Sequence, residues 1–278
     1  MVIESFINAF KAEKEPYHLF YLGFFFSSIG ILLSLWVFQK HASLVMVFLT
    51  MLASVPLIYQ TIKVEEKKDV DLKNEKAILK EHSKAVVFLV MLFLGMTASF
   101  TVWYVFLPQT VAESLFSIQT QTIIAINNDV TGNLVLTSPE QLNFFTKIFF
   151  NNIKVLVFCI LFAFVYGVGA LFILTWNASV IGAAIGNFIR TSLEQSSNYF
   201  HIASLGVLRY ALHGIPEIAA YFTAGLAGGI ISIAVIRHDF GSERFNKIII
   251  DSSDLIIISI SLLLFAAIIE VFITPLLF

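Results

Sequence analysis

The chain is poor in charge and in cysteine. Of its 278 residues, 13% are charged, and the formal net charge is −2, whereas about a quarter of a soluble globular domain is charged. This balance carries no basic excess that would suit a nucleic-acid partner. The single cysteine, Cys159, excludes an intrachain disulfide. It lies within an apolar run, where we expect a small buried hydrophobe.

Apolar residues take the place of the missing charge. They make up 58% of the chain, and the mean hydropathy is +0.87. They are arranged in runs of about 18 or more, each long enough to cross a hydrocarbon layer of roughly 30 Å. The sequence therefore predicts an all-α polytopic transmembrane helical bundle with about six spans. We place them at residues 17–38, 42–62, 85–107, 153–174, 215–236 and 255–277.

These runs divide the chain into three parts. Residues 1–107 form an N-terminal membrane part with three spans, and residues 153–278 form a C-terminal membrane domain. Residues 108–152 form an extracytoplasmic loop that ends in an amphipathic interfacial helix. Within the first part, residues 63–84 contain seven lysines and six acidic residues. This mixture favours a solvated helical connector.

The basic residues predict the orientation. Most of them lie in residues 1–14, in the connector 63–84 and in the loop after residue 236, whereas Lys147 is the only basic residue of residues 108–152. Because cytoplasmic loops are enriched in lysine and arginine, we expect a multi-pass protein of the cell membrane with a cytoplasmic N-terminus.

Small residues mark two segments in the C-terminal domain. The segment 175–195 is short for a full crossing, so it predicts a broken or re-entrant helix whose ends are shielded by protein. Asn177 would be the N-cap of that helix. Gly182 and Gly186 have the small-xxx-small spacing of close helix contacts, and the same spacing recurs in the next span at Ala224, Gly225 and Gly228.

Three ionisable residues stand out among apolar neighbours. Arg209, His213 and Glu217 are four residues apart, which would place them on one face of a continuous helix. Gly214 and Pro216 instead predict a break, with one helix ending near His213 and the next beginning near Pro216. We expect Glu217 to bind His213, Arg209 or the backbone N–H groups of its own first turn. Glu270, in the last span, would pair with Arg190 or Arg209.

Two interpretations of this motif remain open. In the first, His213 and Glu217 lock the two helix ends together, because an ionisable group in a membrane needs a partner. In the second, they line a polar cavity for an ion, a proton or a solute, as broken helices do in transporters. One His and one Glu do not make a zinc site, and no HExxH motif is present. We therefore predict no catalytic residue, no metal and no cofactor.

The ordered motifs between residues 144 and 236 resemble the stage II sporulation protein M family of integral membrane proteins. The resemblance rests on the following residues: Asn151 and Asn152, Gly167 and Gly169, Asn177, Gly182 and Gly186, His213, Gly214, Ile215 and Glu217, and Ala220, Ala224, Gly225 and Gly228. The named member of the family looks like a membrane partner of peptidoglycan-degrading enzymes during engulfment.

The resemblance implies a non-enzymatic scaffold or assembly component of a membrane complex. Its partners would be the lipid bilayer, other membrane proteins and a second copy of the chain, with no nucleic acid. The alternative is a transporter or channel-like protein with a polar path at the break between His213 and Glu217.

Overall fold

The computed structural model describes residues 16–71, 75–130, 138–195, 199–236 and 241–277. Within these residues, the side chains of 69–71, 75–77, 125–130, 138–140, 193–195, 199–207, 209–210 and 244 are not described. The helices are α1 (Tyr17–Val37), α2 (Ala42–Asp71), α3 (Glu75–Phe106), α4 (Gln109–Leu115), α5 (Ser117–Val130), α6 (Ser138–Tyr166), α7 (Ala170–Gln195), α8 (Tyr199–Ile236), α9 (Glu243–Ile268) and α10 (Thr274–Leu277). A 3-10 turn, Gln39–His41, precedes α2, and a π-helical turn, Ile269–Ile273, joins α9 to α10.

Seven of the described helices are long and apolar enough to cross a membrane. The candidate spans are Tyr17–Val37, Gln39–Lys68, Ile78–Phe106, Gln141–Tyr166, Ala170–Ser192, Ala211–Ile236 and Phe245–Leu277. The predicted all-α membrane bundle is thereby confirmed for the described part of the chain. The fifth of these segments accounts for the difference from the six spans placed from the sequence.

A glycine turn divides the apolar run that the sequence predicted as one span, 153–174. The helix α6 ends at Tyr166 and α7 begins at Ala170. Gly167 has a φ of +67°, a left-handed conformation that glycine adopts without steric cost. A side chain at Gly169 would meet the Phe162 carbonyl oxygen. Hydropathy gave no sign of this turn because the residues on both sides of it are apolar.

The helix α7 is continuous over 26 residues, so the prediction of a broken or re-entrant segment after residue 175 is wrong. Because α7 begins at Ala170, it includes residues 170–174, which the sequence analysis assigned to the span 153–174. Asn177 is not an N-cap. It lies within α7, and its Nδ2 donates to the carbonyl oxygen of Ile173 at 2.9 Å, which satisfies the amide inside the helix.

The helix α6 also differs from its prediction. It runs without interruption from Ser138 to Tyr166, so the expected interfacial helix and the following span form one element. The stacked rings of Phe145 and Phe149 belong to the first half of this helix. Phe145 also contacts Phe272 of the π-helical turn, which holds this half against the last span instead of leaving it separate.

The helix α8 is the central element of the bundle. It packs against α6, α7 and α9, and also contacts α2 and α3. Every residue from Ala220 to Ile230 is buried. A membrane helix surrounded by other helices needs small residues where backbones approach, and this stretch contains Ala220, Ala224, Ala227 and three glycines. One buried apolar cluster includes residues of both predicted membrane parts, from Leu19 to Leu263.

Candidate functional site

The helix α8 passes through the motif without breaking. It extends from Tyr199 to Ile236 with Pro216 inside it, so the predicted break between His213 and Glu217 is wrong. Proline removes a single hydrogen bond, the one from its own position to the Leu212 carbonyl. Membrane helices tolerate such a loss when neighbouring helices support them, and α8 is supported along its buried half. Positions 209, 213 and 217 therefore share one helix face.

The structure gives Glu217 a partner that the sequence did not predict. The hydroxyl of Tyr221 donates to Glu217 Oε1 at 2.8 Å, one turn along the same helix. Tyr221 is almost completely buried, with 1% of its surface exposed. The bond replaces the expected partners, which were His213, Arg209 or backbone N–H groups. The Arg209 side chain lies outside the described residues.

A second carboxylate lies near this pair. Glu270 belongs to the π-helical turn Ile269–Ile273, and its carboxyl is close enough to Glu217 for their charges to interact. Turns of this kind within α-helices are frequent at functional sites. Tyr221 is also an electrostatic neighbour of Cys159 in α6. Side chains of α8, α6 and the π-helical turn therefore lie near Tyr221.

Arg190, a predicted partner of Glu270, binds elsewhere. Its guanidinium donates to the carbonyl oxygen of Val105 at 2.9 Å and to that of Leu107. It also lies over the ring of Tyr104, 5.7 Å from the centroid. Carbonyl groups at a helix C-terminus have no intrahelical partner, so Arg190 of α7 stabilises the end of α3 and fixes the two helices together.

The residues predicted for helix packing lie at close backbone contacts. Gly182 and Gly186 of α7 face α3, where added Cβ atoms would lie 2.6 Å from Phe100 Cβ and 2.7 Å from Tyr104 Cβ. Gly228 of α8 faces α6, with the Ile160 carbonyl oxygen 2.6 Å from a Cβ built at this position. Gly225 lies against Ala170, and Ala224 is fully buried.

The remaining motif residues have different surroundings. Asn152 is buried in α6, whereas Asn151 beside it is exposed. At Gly214, no atom of the described residues beyond its own stretch of helix lies within 4 Å of the position where a Cβ would lie. It is therefore not a close-packing position, although it belongs to the same motif as His213 and Glu217.

A buried glutamine, which the sequence analysis missed, ties the segment after α3 into the bundle. Gln119 of α5 is fully buried. Its Oε1 accepts from the Ser43 hydroxyl at 2.7 Å, and its Nε2 donates to the Ser43 carbonyl and to Ser179 Oγ, both at 3.2 Å. Phe116, just before it, packs against Phe100 and Tyr104. The first part of the predicted loop 108–152 therefore lies inside the helix bundle.

The connector is less solvated than its composition indicates. Glu65 of α2 is fully buried and binds His82 of α3, with 2.8 Å between Oε2 and Nδ1. Lys68 binds the other oxygen of Glu65 at 2.7 Å and Glu81 at 3.3 Å. The prediction of a solvated connector is therefore wrong for Glu65 and His82, whereas Lys63, Lys67, Lys80 and Lys84 are exposed. The polar side chains on the facing sides of α2 and α3 are buried between the two helices.

An apolar crevice lies near the turn between α6 and α7. Its cavity volume is about 20 Å³. Its lining residues come from α2, α3, α7, α8 and the glycine turn: Ile58, Ile62, Leu89, Gly167, Val168, Ala170, Leu171, Leu174, Phe222, Gly225 and Leu226. Neither His213 nor Glu217 belongs to this lining, which has no ionisable side chain.

These contacts stabilise the bundle. An ionisable group at the centre of a membrane helix costs roughly 2.5–3.5 kcal/mol on insertion scales. A hydrogen bond such as that from Tyr221 to Glu217 offsets part of this cost. Gln119, Arg190 and Glu65 each bind groups of another helix and so hold helices in register.

Comparison with known proteins places this fold in a family. Among curated proteins and solved structures, none matches the chain. A family model, described as Stage II sporulation protein M, matches residues 25–275. The match includes α2 and α3, which the sequence resemblance over 144–236 had left out. It covers nearly the whole chain, and the protein therefore belongs to the stage II sporulation protein M family of membrane proteins.

Proposed function

We propose that this protein is a non-enzymatic scaffold or assembly component of a membrane complex. The observation that carries the proposal is the hydrogen bond from Tyr221 to Glu217 within the continuous helix α8. The carboxylate of the motif accepts a hydrogen bond from a buried tyrosine of its own helix. A carboxylate bound in this way favours a structural role over a role in transport.

Other polar contacts support the same function. Gln119 joins α5 to α2 and α7, Arg190 joins α7 to the end of α3, and the indole N–H of Trp103 donates to Ser28 across α3 and α1 at 3.0 Å. Each of these bonds crosses between helices. A bundle whose polar groups fasten its helices together offers a fixed surface for other membrane proteins or for a second copy of the chain.

The outer surface of α6 is available for such partners. Phe158, Leu161 and Val165 expose about half or more of their surface, and α6 has the smallest buried share among the seven candidate spans. Exposed apolar side chains of this kind contact either lipid or another membrane protein. The scaffold proposal assigns part of this surface to protein.

Photo-crosslinking in native membranes tests the proposal. A photoreactive residue at Phe158 of α6 should give a covalent adduct of discrete mass with a membrane protein, identified by mass spectrometry. The same residue at Ile257 of α9, which is also strongly exposed, shows whether the contact is confined to α6. Adducts with lipid alone at every exposed position would contradict a scaffold.

A flux assay tests the alternative that the protein is a transporter. Purified protein in proteoliposomes would then support flux of an ion or a solute, and the Glu217→Gln variant would fold normally but lose that flux. Flux of this kind, together with the absence of protein adducts, would replace the scaffold proposal with transport.

A further inference from the structure

In its described residues, 63–68 and 78–84, the connector has an asymmetric charge distribution that its composition conceals. Its lysines and acidic residues nearly balance in number. In the structure, however, Glu65 and Glu66 are fully buried, and Glu81 is bound by Lys68 and Lys84. Lys63, Lys67 and Lys80 are exposed. In the described part of the chain, no ion pair involves any of these three.

The exposed lysines form two levels along the hairpin of α2 and α3. The contact between Glu65 and His82 sets the relative position of these antiparallel helices. Since both helices rise by about 1.5 Å per residue, Lys63 lies level with Lys84, and Lys67 lies level with Lys80 one turn farther along. Lys84 is 46% exposed despite its contact with Glu81.

These levels coincide with the end of the membrane-spanning part. About 20 helical residues cross the hydrocarbon core, and the apolar part of α2 begins at Ala42. The core then ends near Ile62, directly before Lys63. Lysine side chains at such a position extend their ammonium groups into the lipid headgroup layer.

We propose that Lys63, Lys67, Lys80 and Lys84 bind the headgroups of anionic phospholipids at this end of the bundle. Charge complementarity selects this partner, because the three acidic side chains that the structure describes beside these lysines, Glu65, Glu66 and Glu81, are buried or bound. Zwitterionic headgroups carry no net charge, so the lysines attract them only weakly. Each lysine near an anionic surface strengthens binding by roughly a factor of five.

The buried pair Glu65–His82 keeps a negative charge away from the four lysines. An ionised Glu65 exposed beside Lys63 and Lys67 would cancel part of their charge. Binding to His82 and Lys68 keeps its carboxylate between the helices, 2.7–2.8 Å from both partners. The same contacts fix the spacing between the lysines of α2 and those of α3.

Native mass spectrometry of the full chain tests this inference. Purified protein is released from nanodiscs of equal parts phosphatidylglycerol and phosphatidylcholine, and the retained lipids are counted. The wild type should retain phosphatidylglycerol in preference to phosphatidylcholine. The variant with all four lysines changed to glutamine should lose this preference, whereas the variant with four arginines should keep it. Lys40→Gln is the matched control, since Lys40 is exposed at the opposite end of α2.

Salt dependence of the wild type gives a second measurement that needs no variant. The preference should fall as sodium chloride rises from 0.05 to about 0.5 M, because the ions screen exposed charges. Equal retention of both lipids by the wild type would overturn the proposal and leave an acidic protein as the candidate partner. An unchanged preference in the glutamine variant would overturn it as well.

Discussion

At the scale of single residues, polar side chains in this bundle are stabilised by contacts that their sequence neighbours do not reveal. Glu217 binds Tyr221 rather than His213, and Arg190 binds carbonyl groups of α3 rather than a carboxylate. A buried polar atom without a partner costs about 1–3 kcal/mol. Substitutions that remove one partner and keep the other are therefore the most informative.

The pair formed by Glu217 and Tyr221 gives the first prediction. Glu217→Gln should keep most of the stability, because the amide oxygen still accepts from the tyrosine hydroxyl. Glu217→Ala should lower the unfolding free energy by about 1–3 kcal/mol, since the buried hydroxyl loses its acceptor. Thermal unfolding of the purified variants in detergent measures both.

The double variant Glu217→Ala, Tyr221→Phe supplies the control for this pair. The double variant should lose less unfolding free energy than the two single variants together, because it leaves no buried hydroxyl or carboxylate without its hydrogen-bond partner. Strictly additive losses would show that the hydrogen bond does not couple the two residues, and Glu217 would then be free to serve another role.

Gln119 gives the second prediction. Gln119→Ala should destabilise the protein by about 1–3 kcal/mol, because it leaves the buried hydroxyls of Ser43 and Ser179 without the amide. Gln121→Ala is the matched control, two residues away on the same helix and exposed. Equal melting temperatures for the two variants would mean that α5 is not held in the bundle by Gln119.

At the scale of elements, the spacing of small residues decides which helices approach closely. Within α8, Gly228 faces the backbone of α6, whereas Gly214 faces open space. Both positions are helical. The two glycines therefore separate the effect of packing from the effect of helix propensity.

Substitution of these two glycines gives the third prediction. Gly228→Ala should reduce the yield of folded protein and its melting temperature, since the new methyl group would lie 2.6 Å from the Ile160 carbonyl oxygen. Gly214→Ala should be neutral or stabilising, because alanine favours helix over glycine by roughly 1 kcal/mol. The reverse order of stability would contradict close packing between α8 and α6.

At the scale of the whole molecule, the seven candidate spans bear on the orientation predicted from charge. Seven crossings with a cytoplasmic N-terminus place the connector 63–84 and the loop after α8 on the cytoplasmic side, and residues 108–137 on the other side. This arrangement puts the basic residues where the lysine and arginine bias expects them. It stays a prediction until it is measured.

Labelling of intact cells provides that measurement and is the fourth prediction. In a background where Cys159 is replaced by alanine, a membrane-impermeant thiol reagent should label a cysteine introduced at Gly132. It should not label one at Asn74 until the membrane is permeabilised. Labelling at Asn74 alone would invert the orientation.

The amino-acid sequence was enough to predict a helical membrane protein and to identify the small residues suited to helix contacts. Apolar runs and residue spacing carry these properties because they depend on local composition and on the helical period. The family also followed from ordered motifs between residues 144 and 236, although the family match extends from 25 to 275.

Where helices end and which polar groups meet depend on how the helices pack. Pro216 predicts a break, yet α8 continues because neighbouring helices support it, whereas the turn at Gly167 lies in an uninterrupted apolar run. The contact between Glu65 and His82 joins α2 to α3, and Gln119 reaches Ser179 across 60 positions. Such contacts depend on how helices pack, and no local pattern specifies that.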